Sequence, residues 1–227
     1  MTLTTYDELE QGTPEWLAAR CGIVTASVVG LLITAKTIKP AANDTSRGLT
    51  ATLVAERITG HVEPIQMNSD MERGTLDEPY ARDLYSEHHA PATEVGFLVR
   101  DDWGFKLGYS PDGLVGEDGL IEIKSRRQKK HLATIIADEV PLENMAQCQA
   151  GLLVSGREWI DYVSYCGGMP LYVKRVQRDP KWFDAIFKAV EAFEEAAADM
   201  VSRYTTATAD LPATERIDHF GELEITF

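Results

Sequence analysis

Tyr109-Ser110-Pro111-Asp112-Gly113-Leu114-Val115-Gly116-Glu117-Asp118-Gly119-Leu120-Ile121-Glu122-Ile123-Lys124-Ser125 is the stretch from which the rest of the chain is read. Ile121 and Ile123 alternate with Glu122 and Lys124, so a strand here turns two isoleucines to one face and a carboxylate and an ammonium to the other. Ser110-Pro111-Asp112-Gly113 has the composition of a tight turn. Glu117-Asp118-Gly119 suits a three-residue hairpin loop with Gly119 in the left-handed position. That register sets Asp112 across from Lys124 and diagonal to Glu122, all on one face. Two carboxylates brought that close repel unless a cation lies between them. Oxygen-only ligation suits Mg²⁺, with Mn²⁺ as a substitute. Lys124 would orient an attacking water or neutralise a phosphorane. A turn aspartate and an exposed Glu–Lys surface pair are the plainer alternatives that the stretch by itself allows.

Outward from this stretch, the period of the apolar residues changes along the chain. Thr13 before Pro14 predicts a helix over 14–20, ended by Gly22. Thr25 is placed to cap a second helix, and 46–58 reads as a third with Gly60 past its end. A fourth is expected over 75–88, entered around Pro79, and residues 40–47 read as an exposed loop. Val95, Phe97 and Val99 alternate, as do Phe105, Leu107 and Tyr109, which predicts strands. A strand at 120–124, helices at 128–137 and 142–154, strands at 159–165 and 171–176, and an amphipathic helix at 180–204 complete the pattern. This order implies an α/β fold with a mixed central sheet flanked by helices. One domain over 1–227 is expected, with a core of about 12–205 and a tail from 206 to 227.

Composition narrows the function classes. No apolar run reaches the ~20 residues that a bilayer requires, and the first residues lack the basic and apolar regions of a secretory signal. The three cysteines cannot all pair and show no metal-binding spacing, so a reducing cytoplasm is the expected location. The five histidines form no metal cluster by spacing, and no phosphate-cradling glycine loop is present. A net charge of −14 would repel nucleic acid on average. The charge is uneven, however. Residues 120–131 hold Lys124, Arg126, Arg127, Lys129 and Lys130 against Glu122 alone, whereas the acidic residues concentrate after Asp179. A focused basic stripe in an acidic body is compatible with a DNA site, and also with a solvated loop.

Aspartate followed by Glu-x-Lys is the core of the PD-(D/E)XK nuclease superfamily, which implies a restriction-endonuclease-like fold. Further blocks narrow the resemblance. The run from Trp16 through Arg20 and Gly22 to Thr25-Ala26-Ser27 is similar to the W-x-x-x-R-x-G-x-(I/V)-T-A-S signature of lambda-type phage exonucleases, also called YqaJ-like viral recombinases. Gly74, Glu78, Ala81 and Tyr85 match their G-x-x-x-E-x-x-A-x-x-x-(Y/F) helix. Ser110-Pro111-Asp112-Gly113, then Glu122-Ile123-Lys124, then Met145 to Gln149 repeat the remaining blocks in order.

The resemblance implies a Mg²⁺-dependent exonuclease that digests one strand of duplex DNA from the 5′ end and leaves a 3′ single strand for phage-type recombination. Asp112, Glu122 and the backbone carbonyl of Ile123 would hold the metal. Glu78 would serve a second metal or its waters, Lys124 would activate the nucleophile, and Gln147 would orient water or phosphate. Arg20 and Ser27 match positions that grip the terminal 5′-phosphate, Ser110 one that touches the scissile phosphate, and Met71 an apolar wedge. Whether Gln147 or Gln149 faces the site is left open by the motif. The family further implies a homotrimer closed around double-stranded DNA ends and a single-strand annealing protein as partner. The rival expectations are a PD-(D/E)XK endonuclease and a non-enzymatic acidic DNA mimic. The acidic segment after Asp179 matches no family motif.

Overall fold

The computed structural model describes residues 3–64 and 67–217. The chain runs through β1 (Leu3–Tyr6), α1 (Pro14–Arg20), β2 (Val24–Thr25) and α2 (Ala26–Val29), which continues into a 3-10 turn at Gly30–Leu32. A small hairpin of β3 (Ile33–Thr34) and β4 (Lys39–Pro40) precedes the helices α3 (Asp44–Thr59) and α4 (Ser69–His88). Then come β5 (Ala92–Thr93), β6 (Phe97–Arg100), β7 (Leu107–Tyr109), β8 (Gly113–Val115) and β9 (Gly119–Ser125). Helices α5 (Gln128–Ala137) and α6 (Leu142–Ser155) carry the chain over to β10 (Trp159–Tyr165), followed by β11 (Tyr172–Gln177) and α7 (Pro180–Ala207).

The strands form a mixed α/β architecture, with the sheet divided in two. One part has the order β1-β6-β7-β2 and the other β11-β10-β9-β8-β5. Each mixes directions: β2 runs parallel to β7, and β10 runs parallel to β9, while the remaining pairs are antiparallel. The chain passes from the first part to the second through Ser110, Pro111 and Asp112, between β7 and β8. The turn composition of that segment therefore marks the seam between two sheets.

β9 lies at the centre of the five-stranded part and is covered on both faces. Ile121 and Ile123 pack with Ala81 and Tyr85 of α4 and with Val115 and Val163. Leu120 joins the larger core with Ile160 and Tyr162 of β10 and Ala146, Cys148 and Leu152 of α6. Burial of such side chains is worth about 1.5–3 kcal/mol each, and it fixes the strand between its two helical layers. α7 packs the outside of this core through Trp182, Ile186, Val190 and Phe193, and a bidentate Arg57–Glu194 pair at 2.6 and 2.7 Å ties it to α3.

Three expectations need correction. The hairpin register differs by two residues, because Gly116, with φ of 53°, takes the left-handed position. Val115 then faces Gly119 and Gly113 faces Ile121, so the loop is Gly116-Glu117-Asp118 and Asp112 lies level with Glu122 rather than Lys124. Gly119 is needed for space instead, since a Cβ there would come within 2.2 Å of the Trp159 ring. Helix α4 starts at Ser69, capped by Asn68, and Pro79 lies inside it. The carbonyl that Pro79 deprives of a donor belongs to Thr75, which is exposed to water. Finally, residues 40–47 are not one loop: Asn43 caps α3 in a reciprocal arrangement with Ser46.

β1 went unforeseen because all four of its residues are exposed and carry no burial pattern. The three cysteines are free. The last acidic residues of the sequence, Asp218, Glu222 and Glu224, lie outside the described residues.

Candidate active site

A cleft of 520 Å³ opens where the two sheets part. The seam supplies Ser110 and Asp112, β9 supplies Glu122, Ile123 and Lys124, and α6 supplies Gln147. α4 lines the cleft with Met71 and Glu78, and the α1–α2 region lines it with Trp16, Arg20, Thr25 and Ser27. Every site residue nominated from the sequence therefore lines this single cleft.

The acidic centre is built on β9. Glu122 is 1% exposed, and both oxygens of its carboxylate are bonded. Lys124 Nζ lies 2.8 Å from Oε1, which also accepts from Gln147 Nε2, while the Tyr109 hydroxyl donates to Oε2 at 3.2 Å. Asp112 Oδ2 accepts from the backbone amide of Ile123 at 2.6 Å, which fixes the aspartate against the strand. Burial first, then the charges of Glu122 and Glu78, push the Asp112 carboxyl well above the usual range. Burial opposes the charge on Lys124, but Glu122 and Asp112 outweigh it and raise the ammonium pKa. Lys124 thus holds its proton more firmly than a free lysine does, because two carboxyl groups face it.

Glu78 reaches the cleft from α4 but turns to Arg82 one turn on, at the i,i+4 spacing that favours such pairs. Burial raises its pKa, Arg82 opposes this, and Glu122 adds to it. Arg82 also donates from Nε to the carbonyl oxygen of Asp112 at 2.7 Å and pairs with Glu94. One guanidinium thereby holds α4 against the seam and sets the position of both acids. Its only local sign in the sequence is the Glu78–Arg82 spacing.

The α1–α2 residues form a cluster of donors. The Arg20 guanidinium stacks 4.1 Å from the Trp16 ring centroid and donates to Thr25 Oγ1 at 3.3 Å. Thr25 Oγ1 lies 3.0 Å from Ser27 Oγ. Burial lowers the Arg20 pKa, with Glu56 acting against it. Trp16 Nε1 donates to Ser110 Oγ at 2.9 Å, so the indole braces both Arg20 and Ser110. Sequence reasoning assigns no site role to Trp16, Thr25 or Tyr109. Trp16 and Thr25 are visible there as motif letters, and nothing local to Tyr109 signals that its hydroxyl meets Glu122.

Of the two glutamines on α6, Gln147 faces the cleft. Gln149 is fully buried elsewhere, bonded to the carbonyl of Gln177 at 2.8 Å and the amide of Asp179 at 2.9 Å.

Among the described residues no group of three acidic, histidine or cysteine side chains is arranged to hold a metal by itself. The donor set nonetheless fits a small hard cation. Mg²⁺ commonly takes one or two carboxylates and completes its shell with waters and substrate oxygens. Asp112, Glu122 and the Ile123 carbonyl offer that set, in a place where three carboxylates crowd together and the pKa of Asp112 and Glu78 is raised.

The family model for the YqaJ-like viral recombinase domain matches residues 15–158. The chain belongs to this family. The matched segment spans the cleft from α1 to the residue before β10. An alkaline exonuclease from Laribacter hongkongensis, LHK-Exo, is 34% identical, with a TM-score of 0.78, 88% of this chain and all of that chain covered. The same enzyme solved in complex with dAMP matches equally well. A phage-related exonuclease from Haemophilus somnus is 16% identical with a TM-score of 0.61, covering 80% of this chain and 96% of its own, and shares the fold. No curated protein sequence matches. The recombinase family places the chain in the PD-(D/E)XK fold, with the seam and β9 carrying the Asp and Glu-x-Lys elements.

Proposed function

We propose that this chain is a Mg²⁺-dependent 5′→3′ exonuclease of duplex DNA that exposes 3′ single strands for recombination. Membership of the YqaJ-like family makes it a deoxyribonuclease of phage-type recombination. The observation that supports the finer reading is the company kept in one cleft: a donor cluster of Arg20, Thr25 and Ser27 shares it with the paired acids and their lysine.

Asp112, Glu122 and the Ile123 carbonyl would hold the cation, Mg²⁺ or in its place Mn²⁺, with Glu78 serving a second ion or its waters. When bound, the cation supplies stabilisation for the charge that builds on the phosphoryl oxygens. The chain's own residues do the rest. Arg20, Thr25 and Ser27 hold the 5′-phosphate with a stacked guanidinium and two hydroxyls. Ser110 accepts from Trp16, which leaves its own proton for an oxygen of the scissile phosphate. Lys124, protonated, orients the attacking water and faces the developing negative charge. Gln147 donates to Glu122 and keeps its carbonyl oxygen for a water. Met71, exposed on the first turn of α4, is the wedge that separates the end of the duplex. Water attacks phosphorus and gives up a proton, the bond to the 3′ oxygen breaks, and that oxygen takes up a proton and leaves as the 3′ hydroxyl of the released nucleotide. The remaining strand then carries a new 5′-phosphate, which is the ligand that the Arg20 cluster needs for the next cycle. The dAMP complex of LHK-Exo is in keeping with a site that takes a nucleotide monophosphate.

The chain acts as a single nuclease domain, with the core at about 12–205, in the cytoplasm. It assembles as a homotrimer around the DNA and hands the exposed strand to a single-strand annealing protein. Enclosure answers the charge of −14, because a ring retains DNA that an open acidic surface would release. Among the described residues no helix is long and apolar enough to cross a membrane.

Linear and closed circular duplexes, each with Mg²⁺ or EDTA, test the reading. The expected result is loss of the linear form alone, only with Mg²⁺, with label released first from the 5′ end. Cutting of the circle would install the endonuclease alternative, and no cutting at all would install the DNA mimic.

A further inference from the structure

A second hollow, of 390 Å³, adjoins the cleft and shares Asp70, Lys124 and Ser125 with it. Its other walls bring Arg73, Arg126, Arg127 and Lys130 together against only Asp70 and Glu143. In a chain of charge −14 this concentration of cations is the exception.

The cations are held in different ways. Arg126 is built into the wall, donating to the Tyr162 hydroxyl at 2.8 Å and to Asn144, with Glu143 at 3.3 Å as its acidic neighbour. Two of its acceptors are neutral, so its charge still acts on the hollow. Lys130 has no ion-pair partner among the described residues. Arg73 and Arg127 converge from two elements on a single oxygen: Asp70 Oδ1 accepts from Arg73 at 2.7 Å and from Arg127 at 2.8 Å. Arg73 further donates to Ser125 Oγ at 3.0 Å, on the strand that carries Lys124. A carboxylate oxygen fixed between two guanidiniums is the arrangement that a phosphate oxygen adopts in the same company.

We infer that this hollow is a subsite for the phosphodiesters that follow the scissile linkage, and that Asp70 occupies it as a stand-in until DNA displaces it. The direction follows from the layout. The donor cluster of Arg20 and Ser27 touches only the first cleft, Lys124 borders both, and the basic hollow lies beyond Lys124. A strand whose 5′ end sits at Arg20 and whose first linkage sits at Lys124 runs on into the hollow. Displacing Asp70 also releases the Arg127 contact to the first turn of α4, where Met71 follows it directly.

This inference rests on the nuclease reading for the identity of the bound strand, and its test separates the two. In EDTA, with a 5′-phosphorylated duplex and the full chain, Asp70→Asn should bind about 2- to 10-fold more tightly at low salt, since the internal competitor loses its charge. The Arg127→Ala, Lys130→Ala double variant should show a plot of log affinity against log salt shallower by about 0.9 for each phosphate that is no longer neutralised. With Mg²⁺, a neutral methylphosphonate at the second or third linkage should slow release of the first nucleotide about 10-fold in wild type. The double variant should lose most of that sensitivity. Weaker binding by Asp70→Asn, an unchanged salt slope, or equal rates on native and methylphosphonate duplexes would each overturn the subsite. A wild type that shows the binding pattern yet cleaves nothing would sink the nuclease reading and leave the subsite standing.

Discussion

The two faces of β9 are made from alternate residues of one short strand, and they are held in place by unlike forces. On one face Ile121 and Ile123 lie against Ala81 and Tyr85, and close packing alone positions them. On the other, Glu122 and Lys124 are fixed by directional bonds to each other, to Gln147 and to Tyr109. Packing accepts any side chain of nearly the right shape. A buried, fully bonded polar group accepts almost no change, because each partner left behind loses its bond in a place water cannot repair. The strand therefore separates stability from chemistry by face, and substitutions on the two faces should fail in different assays.

The largest effect expected is on the polar face. Asp112→Ala or Glu122→Ala should lower Mg²⁺-dependent cleavage by about 10³-fold or more, the equivalent of several kcal/mol of lost charge stabilisation. DNA binding should persist in EDTA, and Asp112→Ala should strengthen it, since a carboxylate that faces phosphate is gone. Substantial cleavage by Asp112→Ala at saturating Mg²⁺ would break the assignment.

The opposite face should give the mirror result. Ile121→Ala removes a fully buried side chain beside α4, which costs about 2–5 kcal/mol, and Ile121→Val about 0.5–1.5 kcal/mol. Urea unfolding should report the loss, while the folded fraction at low temperature should cleave at close to the wild-type rate. A Val variant that keeps its stability and loses its rate would mean that the faces are not separable.

Arg20 lies between these extremes, since it combines a cation–π stack with a hydrogen bond. Wild type should prefer 5′-phosphorylated over 5′-hydroxyl ends. Arg20→Ala should shrink that preference by about 10- to 150-fold, the worth of a charge-assisted hydrogen bond of about 1.5–3 kcal/mol. Competition between the two ends measures it directly. Equal preference in wild type and variant would leave Arg20 a brace for Trp16 and Thr25 and nothing more.

How much of this is legible in the sequence depends on whether a feature is local. The alternation in 120–124, the Thr13-Pro14 helix start and the Glu-x-Lys spacing are local, and the structure places them as read. The nominated site residues converge on one cleft because ordered motif blocks carry long-range information that no single block holds. The hairpin register departs from expectation because Gly116 and Gly119 both suit a left-handed turn. What decides between them is the Trp159 ring against Gly119, 40 residues away in sequence. Arg82 and Tyr109 escape a sequence reading for a like reason: Arg82 meets the Asp112 carbonyl, and Tyr109 meets Glu122, only once the chain has folded. Pro79 misleads in the other direction, since a strong local signal for a helix start is overridden by the packing of α4 on β9.

The start of α4 gives the smallest effect and the cleanest test of that last point. Asn68 Oδ1 accepts from the amides of Asp70 and Met71, both at 3.0 Å, and so caps a helix that continues through Pro79. Asn68→Ala should cost about 1 kcal/mol in urea unfolding, and Asn68→Asp should retain the stability, because either acceptor serves the cap. Amide exchange in the first turn of α4 should speed up in the Ala variant and stay slow beyond Pro79, where the packing of Ala81 and Tyr85 holds the helix. If the helix began at Pro79, residues 69–78 would exchange fast in wild type and Asn68→Ala would change nothing. The effect on function should follow the helix rather than the strand. Fraying the first turn disturbs Asp70 and Met71 but leaves Glu122 and Lys124 untouched, so strand separation at the duplex end should slow while cleavage of an already frayed end should not.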